Sequence, residues 1–189
     1  MRFRHILPAC ALALSACLPP LAQAANLALP ADGSWVEILA DDGLPPFTSA
    51  WVTLSSDGAS YTEVGYTVTI ASGFEGRLTV VDTAYAGDRF ELRDNGTRLG
   101  ETGPAAFDAA QARFADADTA LADATYSRGV FTLSAGSHLL TGAVLAGTGY
   151  GATTAALKLE VSAVPEPATV FSLLAGLGLV GAALRRRAR

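Results

Sequence analysis

The chain has 189 residues, with 13 basic and 18 acidic side chains, two cysteines and two histidines, a length that fits one domain. Arg2, Arg4, Arg185, Arg186, Arg187 and Arg189 sit at the two ends, so residues 25–163 carry 17 acidic against seven basic side chains. A surface that acidic repels phosphate and argues against nucleic acid as a partner.

The first 24 residues have the three parts of a secretory leader. Arg2, Arg4 and His5 give a positive start, Ile6 to Leu18 is apolar with Pro8 inside it, and Ala22-Gln23-Ala24 is the small-x-small pattern of a signal peptidase site. Export through the Sec translocon and cleavage after Ala24 are expected. Leu14-Ser15-Ala16-Cys17 also resembles a lipobox, in which Cys17 becomes the lipidated first residue. Cys10 and Cys17 are the only cysteines, so the exported domain holds no disulfide although its compartment permits one.

Period-two alternation dominates the middle, 25–163. Trp35 to Leu39, Ala50 to Leu54 and Tyr66 to Ile70 are short strands by this criterion, and Arg77 to Asp82 and Arg89 to Asp94 follow. Asn95-Gly96 separates Phe90-Glu91-Leu92-Arg93 from Thr97-Arg98-Leu99, and it suits the two positive-φ positions of a type I′ hairpin. Residues 105–124 break the pattern. They are rich in Ala and Asp, and Phe107, Phe114 and Leu121 are spaced by seven, which places them on one face of a short helical insertion. Val130 to Leu133, Ser137 to Leu145 and Ala155 to Val161 resume the strands. About eight short strands at this spacing predict an all-β sandwich or jelly-roll-like domain.

The C-terminus has its own order of features. Val164-Pro165-Glu166-Pro167 precedes Ala168 to Leu184, which contains no charge, and the chain finishes on Arg185-Arg186-Arg187-Ala188-Arg189. The apolar stretch is just long enough for a transmembrane helix, and the arginines should stay cytoplasmic. The prolines keep this helix from running back into the domain. The three parts together resemble the PEP-CTERM sorting signal. That resemblance implies a tail removed at residues 164–167 by an exosortase, a membrane-embedded protease, after transient anchoring in the inner membrane. It also implies release at the cell surface and a link to exopolysaccharide, extracellular matrix or biofilm.

The middle is also similar to the ectodomain of many PEP-CTERM proteins over residues 60–161. Asp82, Gly87-Asp88-Arg89-Phe90, Asp94-Asn95-Gly96, Leu99-Gly100, Tyr126-Ser127-Arg128-Gly129, Phe131-Thr132-Leu133 and Gly136-Ser137-His138 carry the likeness. It implies a β-sandwich and no catalytic site.

The residues themselves point away from an enzyme. No nucleophile elbow is present, and one histidine without cysteine cannot assemble the usual zinc ligands. His138, beside Ser137, is read as satisfying a local hydrogen bond. Paired carboxylates for a polysaccharide hydrolase stay open, since such pairs meet only in three dimensions. Calcium is the better chemical candidate. Asp82, Asp88, Asp94 and Asn95 lie near strand ends, where loops can gather oxygen ligands; the alternative is that these residues stabilise turns. Trp35, Trp51, Tyr61 and Tyr66 would make a sugar-stacking platform if exposed, and core if not. The sequence therefore predicts an exported, non-enzymatic surface or matrix protein, with a carbohydrate- or calcium-binding module as the alternative.

Overall fold

Alternating apolar residues bury one face of a strand, and the described residues hold ten strands and two helices. The computed structural model describes residues 25–41, 50–54, 60–103, 114–147, 152–164 and 167–187. The leader, with Cys17, Ala22 and Ala24, lies outside these residues, as do Phe107, Pro165, Glu166 and Arg189. In chain order the strands are β1 (Ala25–Ala28), β2 (Asp32–Asp41), β3 (Trp51–Leu54), β4 (Tyr61–Ile70), β5 (Phe74–Asp82), β6 (Arg89–Asp94) and β7 (Thr97–Glu101). Helix α1 (Ala117–Ala122) precedes β8 (Arg128–Leu133), β9 (Gly136–Ala146) and β10 (Ala152–Ala163), and α2 (Pro167–Arg187) ends the series.

The strands form one hydrogen-bonded path, β7-β6-β9-β4-β3-β2-β10-β5-β8, with β1 beside β4. β4 is the fold line: its first residues pair with β3, and Tyr66 to Ile70 pair with β9. The path thus doubles over on itself. Its two ends come close, where Gly103 N–H donates to Arg128 O at 2.7 Å and the hydroxyls of Thr102 and Ser127 meet at 2.9 Å. The result is a sandwich-like, nearly closed barrel rather than two separate sheets. All pairings along the path are antiparallel, and β1 joins β4 in parallel.

Alternation sets the core. Leu78 and Val80 of β5, Phe90 and Leu92 of β6, and Ala155, Leu157 and Leu159 of β10 face inward around Trp51. Trp51 is fully buried against the backbone of Gly142, where a Cβ would lie only 2.1 Å from its ring. The opposite faces of β5 and β10 present Val81 and Ala156, which pack with Ala120 of α1 and Tyr126 in a second, smaller cluster.

The Asn95-Gly96 hairpin is found as expected, with φ of 48° and 80° at its two positions, the signature of a type I′ turn. Of the helical insertion expected over 105–124, residues 105–113 lie outside the described residues, and the described part holds one six-residue helix, α1. Asp116 caps α1 by accepting from Thr119 N–H at 2.9 Å, and the cap fixes the helix start three residues past Phe114. Phe114 therefore lies outside the helix, 68% exposed, with its ring 5.2 Å from that of Tyr85. Only Leu121 of the three spaced apolar residues packs beneath α1 among the described residues.

Helix α2 covers 21 residues with Arg185, Arg186 and Arg187 in its last turn. Among the described residues, no helix is long and apolar enough to cross a membrane. A bilayer span over 168–184 therefore rests on the sequence alone, in which Thr169, Ser172 and three glycines dilute the apolar stretch.

Candidate functional site

Each of the four residues singled out for calcium lies at an end of β5 or β6 or in the turn that follows. On β5, inward positions run Leu78, Val80, Asp82; on β6, Asp88 precedes the inward Phe90 and Leu92 by the same two-residue step. Two carboxylates thus enter the upper end of the apolar core, and both residues are fully buried. Asp82 Oδ1 accepts from Ala84 N–H at 3.0 Å, while Asp82 Oδ2 is buried without a hydrogen-bond partner. Burial pushes the Asp82 carboxyl up to about 8, and the neighbouring Asp88 charge pushes it the same way. Amide donation from Ala84, Asp88 and Gly87 offsets part of this rise. Asp82 accordingly carries a proton at neutral pH.

Asp94 and Asn95 lie at the other end of β6, about 20 Å along the strand from Asp88. Asp94 Oδ2 meets His138 Nδ1 at 2.7 Å, and His138 Nε2 meets Ser134 O at 2.8 Å. Asn95 is tied to β9: its Nδ2 donates to Ser137 O at 3.0 Å, and its Oδ1 accepts from Leu139 N–H at 3.2 Å. The structure therefore brings Asp82 and Asp88 together and places Asp94 and Asn95 apart from them. Among the described residues, no group of three or more His, Cys, Asp or Glu side chains is close enough to hold a metal ion. Calcium takes 6–8 oxygens, far more than the two carboxylates at the core end.

The same geometry bears on His138 as a member of a catalytic triad. His138 and Asp94 make a dyad, but the second ring nitrogen faces a backbone carbonyl instead of a hydroxyl. Ser137 Oγ instead meets Thr69 Oγ1 at 3.3 Å. A catalytic triad needs the nucleophile on that nitrogen, so the arrangement is a structural clamp.

The four aromatic candidates divide. Trp51 and Tyr66 are core, their rings meeting edge-on at 6.1 Å. Trp35 is half-buried, with Lys158 Nζ 4.7 Å from its ring centre and its Nε1 donating to Asp118 at 2.9 Å. Tyr61 stands exposed. They form no strip. Sequence reasoning missed a different aromatic feature. Phe114 borders a cleft of about 410 Å³ beside α1, lined also by Asp116, Thr119, Asp123, Thr125 and Tyr126. The Asp-Ala-Asp-Thr run at 116–119 is the one sequence signal of this cleft.

β10 ends at Ala163, and three residues separate it from the described start of the tail helix. Val164 N–H donates to Gly73 O at 2.8 Å, and α2 begins at Pro167. A sorting signal directly after a finished β domain defines a class, that of exported proteins with a disposable tail. The particular signal here is the PEP-CTERM protein-sorting motif, whose family model matches residues 163–187. No curated protein matches the chain. Among solved structures, it is similar to the pre-peptidase C-terminal domain of a collagenase from Bacillus anthracis. That match has a TM-score of 0.38 and 10% identity, and covers 76% of this chain and 100% of that one. It is also similar to PliG, a periplasmic inhibitor of g-type lysozyme from Aeromonas hydrophila, at TM-score 0.34 and 14% identity over 74% and 98% of the two chains. A third is the C-terminal CBM6 of LamC from Zobellia galactanivorans, at TM-score 0.33 and 15% identity over 67% and 99%.

Proposed function

We propose that this is an exported, non-enzymatic surface or extracellular-matrix protein that an exosortase processes at Val164–Pro167. The observation that carries this reading is the sorting motif matched over 163–187, placed directly after the last strand of the domain. The leader directs Sec export, and signal peptidase cuts after Ala24, at the small-x-small pattern Ala22-Gln23-Ala24. Helix α2 crosses the inner membrane through its uncharged stretch 168–184, with Arg185, Arg186, Arg187 and Arg189 on the cytoplasmic side. The β domain then leaves the membrane for the cell surface, in a role linked to exopolysaccharide. Intact-mass measurement on protein from the native host tests the reading. The expected mass lacks residues 1–24 and the Arg cluster. A mature species that keeps the cluster sinks the sorting proposal, and a lipid adduct on Cys17 replaces the Ala24 boundary.

One observation favours a second reading, a sugar-binding surface: the exposed Phe114 ring beside the hydroxyls and carboxylates of the α1 cleft. Aromatic faces and hydrogen-bonding rims suit pyranose rings. Retention of the protein on purified host exopolysaccharide, lost on Phe114→Ala, is the expected result for this reading. Equal retention of both proteins removes it.

A further inference from the structure

Within the reading of α2 as a membrane span, the distance between fold and bilayer is set by the chain. The uncharged stretch Ala168 to Leu184 has 17 residues, about 26 Å of helix, which is shorter than a hydrocarbon core of about 30 Å. With the arginines held at the cytoplasmic face, even with their stems snorkelling, no slack remains at the other end. Pro167 is drawn to the edge of the hydrocarbon. From there to Val164 is three peptide steps, at most about 11 Å, and the headgroup layer takes up about 5–8 Å of it. Val164 is no free linker, because its N–H is bonded to Gly73 O at 2.8 Å and Ala163 still pairs with Phe74.

The end of the domain that is pulled down fits its neighbour. Residues 71–74, 134–136 and 95–96 form the three turns there, since Ile70 pairs with Gly136 and Asn95 N–H bonds to Leu139 O. None of these residues is charged. Phe74 and Val164, each 42% exposed, are the large apolar side chains between them, and aromatic rings favour the headgroup level.

From this geometry we infer a lipid-contact surface: before its tail is removed, the domain rests its 71–74 turn, with Phe74 and Val164, on the outer leaflet of the membrane that α2 crosses. The protease must therefore reach the Pro-Glu-Pro motif in the narrow gap between the strand end and the lipid. The opposite end of β5, about 26 Å away, carries Asp82 and the α1 cleft out into solvent.

The test uses the full chain with its tail retained, expressed without the sorting protease, in a Cys10→Ser/Cys17→Ser background. One dye is placed by Ser72→Cys or, in a second protein, by Ala124→Cys beside α1. Both are reconstituted in phosphatidylcholine/phosphatidylglycerol vesicles with a headgroup spin-labelled lipid. The dye at 72 should be quenched several-fold more than the dye at 124. A Gly/Ser spacer of about ten residues between Val164 and Pro165, spanning about 17 Å on average, should bring the quenching at 72 down towards that at 124. Equal quenching at the two sites, or quenching at 72 that the spacer leaves unchanged, overturns the inference. Loss of the protein from the vesicles in a carbonate wash is a different failure, for it removes the reading of α2 on which the inference rests.

Discussion

At Gly142 the absence of a side chain is what admits the Trp51 indole. A Cβ there would meet three ring atoms at 2.1–2.4 Å, and Trp51, fully buried and edge-on to Tyr66, has no room to retreat. Gly142→Ala is therefore expected to cost about 3 kcal/mol, at the upper end for overpacking, in urea unfolding of the isolated protein. A loss below about 0.5 kcal/mol, the scale of a surface change, would mean that the ring can move. Asp82 makes a different demand. Its folded value of about 8 lies above the ordinary 3.8, so the folded state binds the extra proton between those two values. Stability is highest below about pH 4 as far as this group is concerned, and it falls as pH rises through about 8. Asp82→Asn removes the slope and should melt higher than the wild type at pH 8.5, by several degrees, while the two converge near pH 4. Identical pH profiles in the two proteins would show that Asp82 is not held as an acid. With only two carboxylates here and Asp82 holding a proton, millimolar calcium should leave both melts unchanged at neutral pH; a wild-type rise that Asp82→Asn loses would show a cation site instead.

Between elements, polar side chains tie β6 and its turn to β9. Asp94 and His138 join the end of β6 to the start of β9, and Asn95 adds two bonds to the same strand. A double-mutant cycle of Asp94→Asn and His138→Phe should show a coupling of about 1 kcal/mol or more; additive effects would reduce the contact to proximity. On the outer face of β6 and β7, Glu91 accepts from Arg93 and Arg98, and Glu101 from Arg89 and Arg98. These exposed pairs add little stability, but they place charge on the edge strand β7, where unwanted pairing begins. The hairpin was legible in the sequence because Asn-Gly states its own dihedrals, and the second half of β4 because Tyr66 to Ile70 alternate apolar with Thr. β1 was not. Ala-Asn-Leu-Ala offers no strong β-formers, and its strand exists because β4 leaves an edge free for it. The Asp82–Asp88 pairing was half-legible: both residues stood near strand ends, but only the register of β5, β6 and β10 reveals that both point inward. Asp94, likewise at a strand end, pairs with His138 instead.

At the scale of the whole molecule, the single strand path gives the domain two unlike ends. One has tight uncharged turns and the departing chain; the other has the buried acid pair, α1 and its cleft. The β7 and β8 edges are joined through Thr102, Gly103, Ser127 and Arg128, which closes the path without a further strand. Thr102→Val keeps the shape but removes the hydroxyl that accepts from Phe90 N–H at 3.0 Å and meets Ser127. Since it leaves a buried amide unpaired, a cost of about 1–3 kcal/mol is expected. Hydrogen exchange at Phe90 and Gly103 should then quicken ahead of the core, and unchanged rates at both amides would show that the seam is not where the path opens. The bond between Val164 and Gly73 has a mechanical meaning beyond stability. If the tail is cut within Val164–Pro167 as proposed, anything joined to the new carboxyl would be held within three residues of the strand bond between Val164 and Gly73. A protein fixed in that way would transmit a pull on its attachment directly into the β10–β5 pairing.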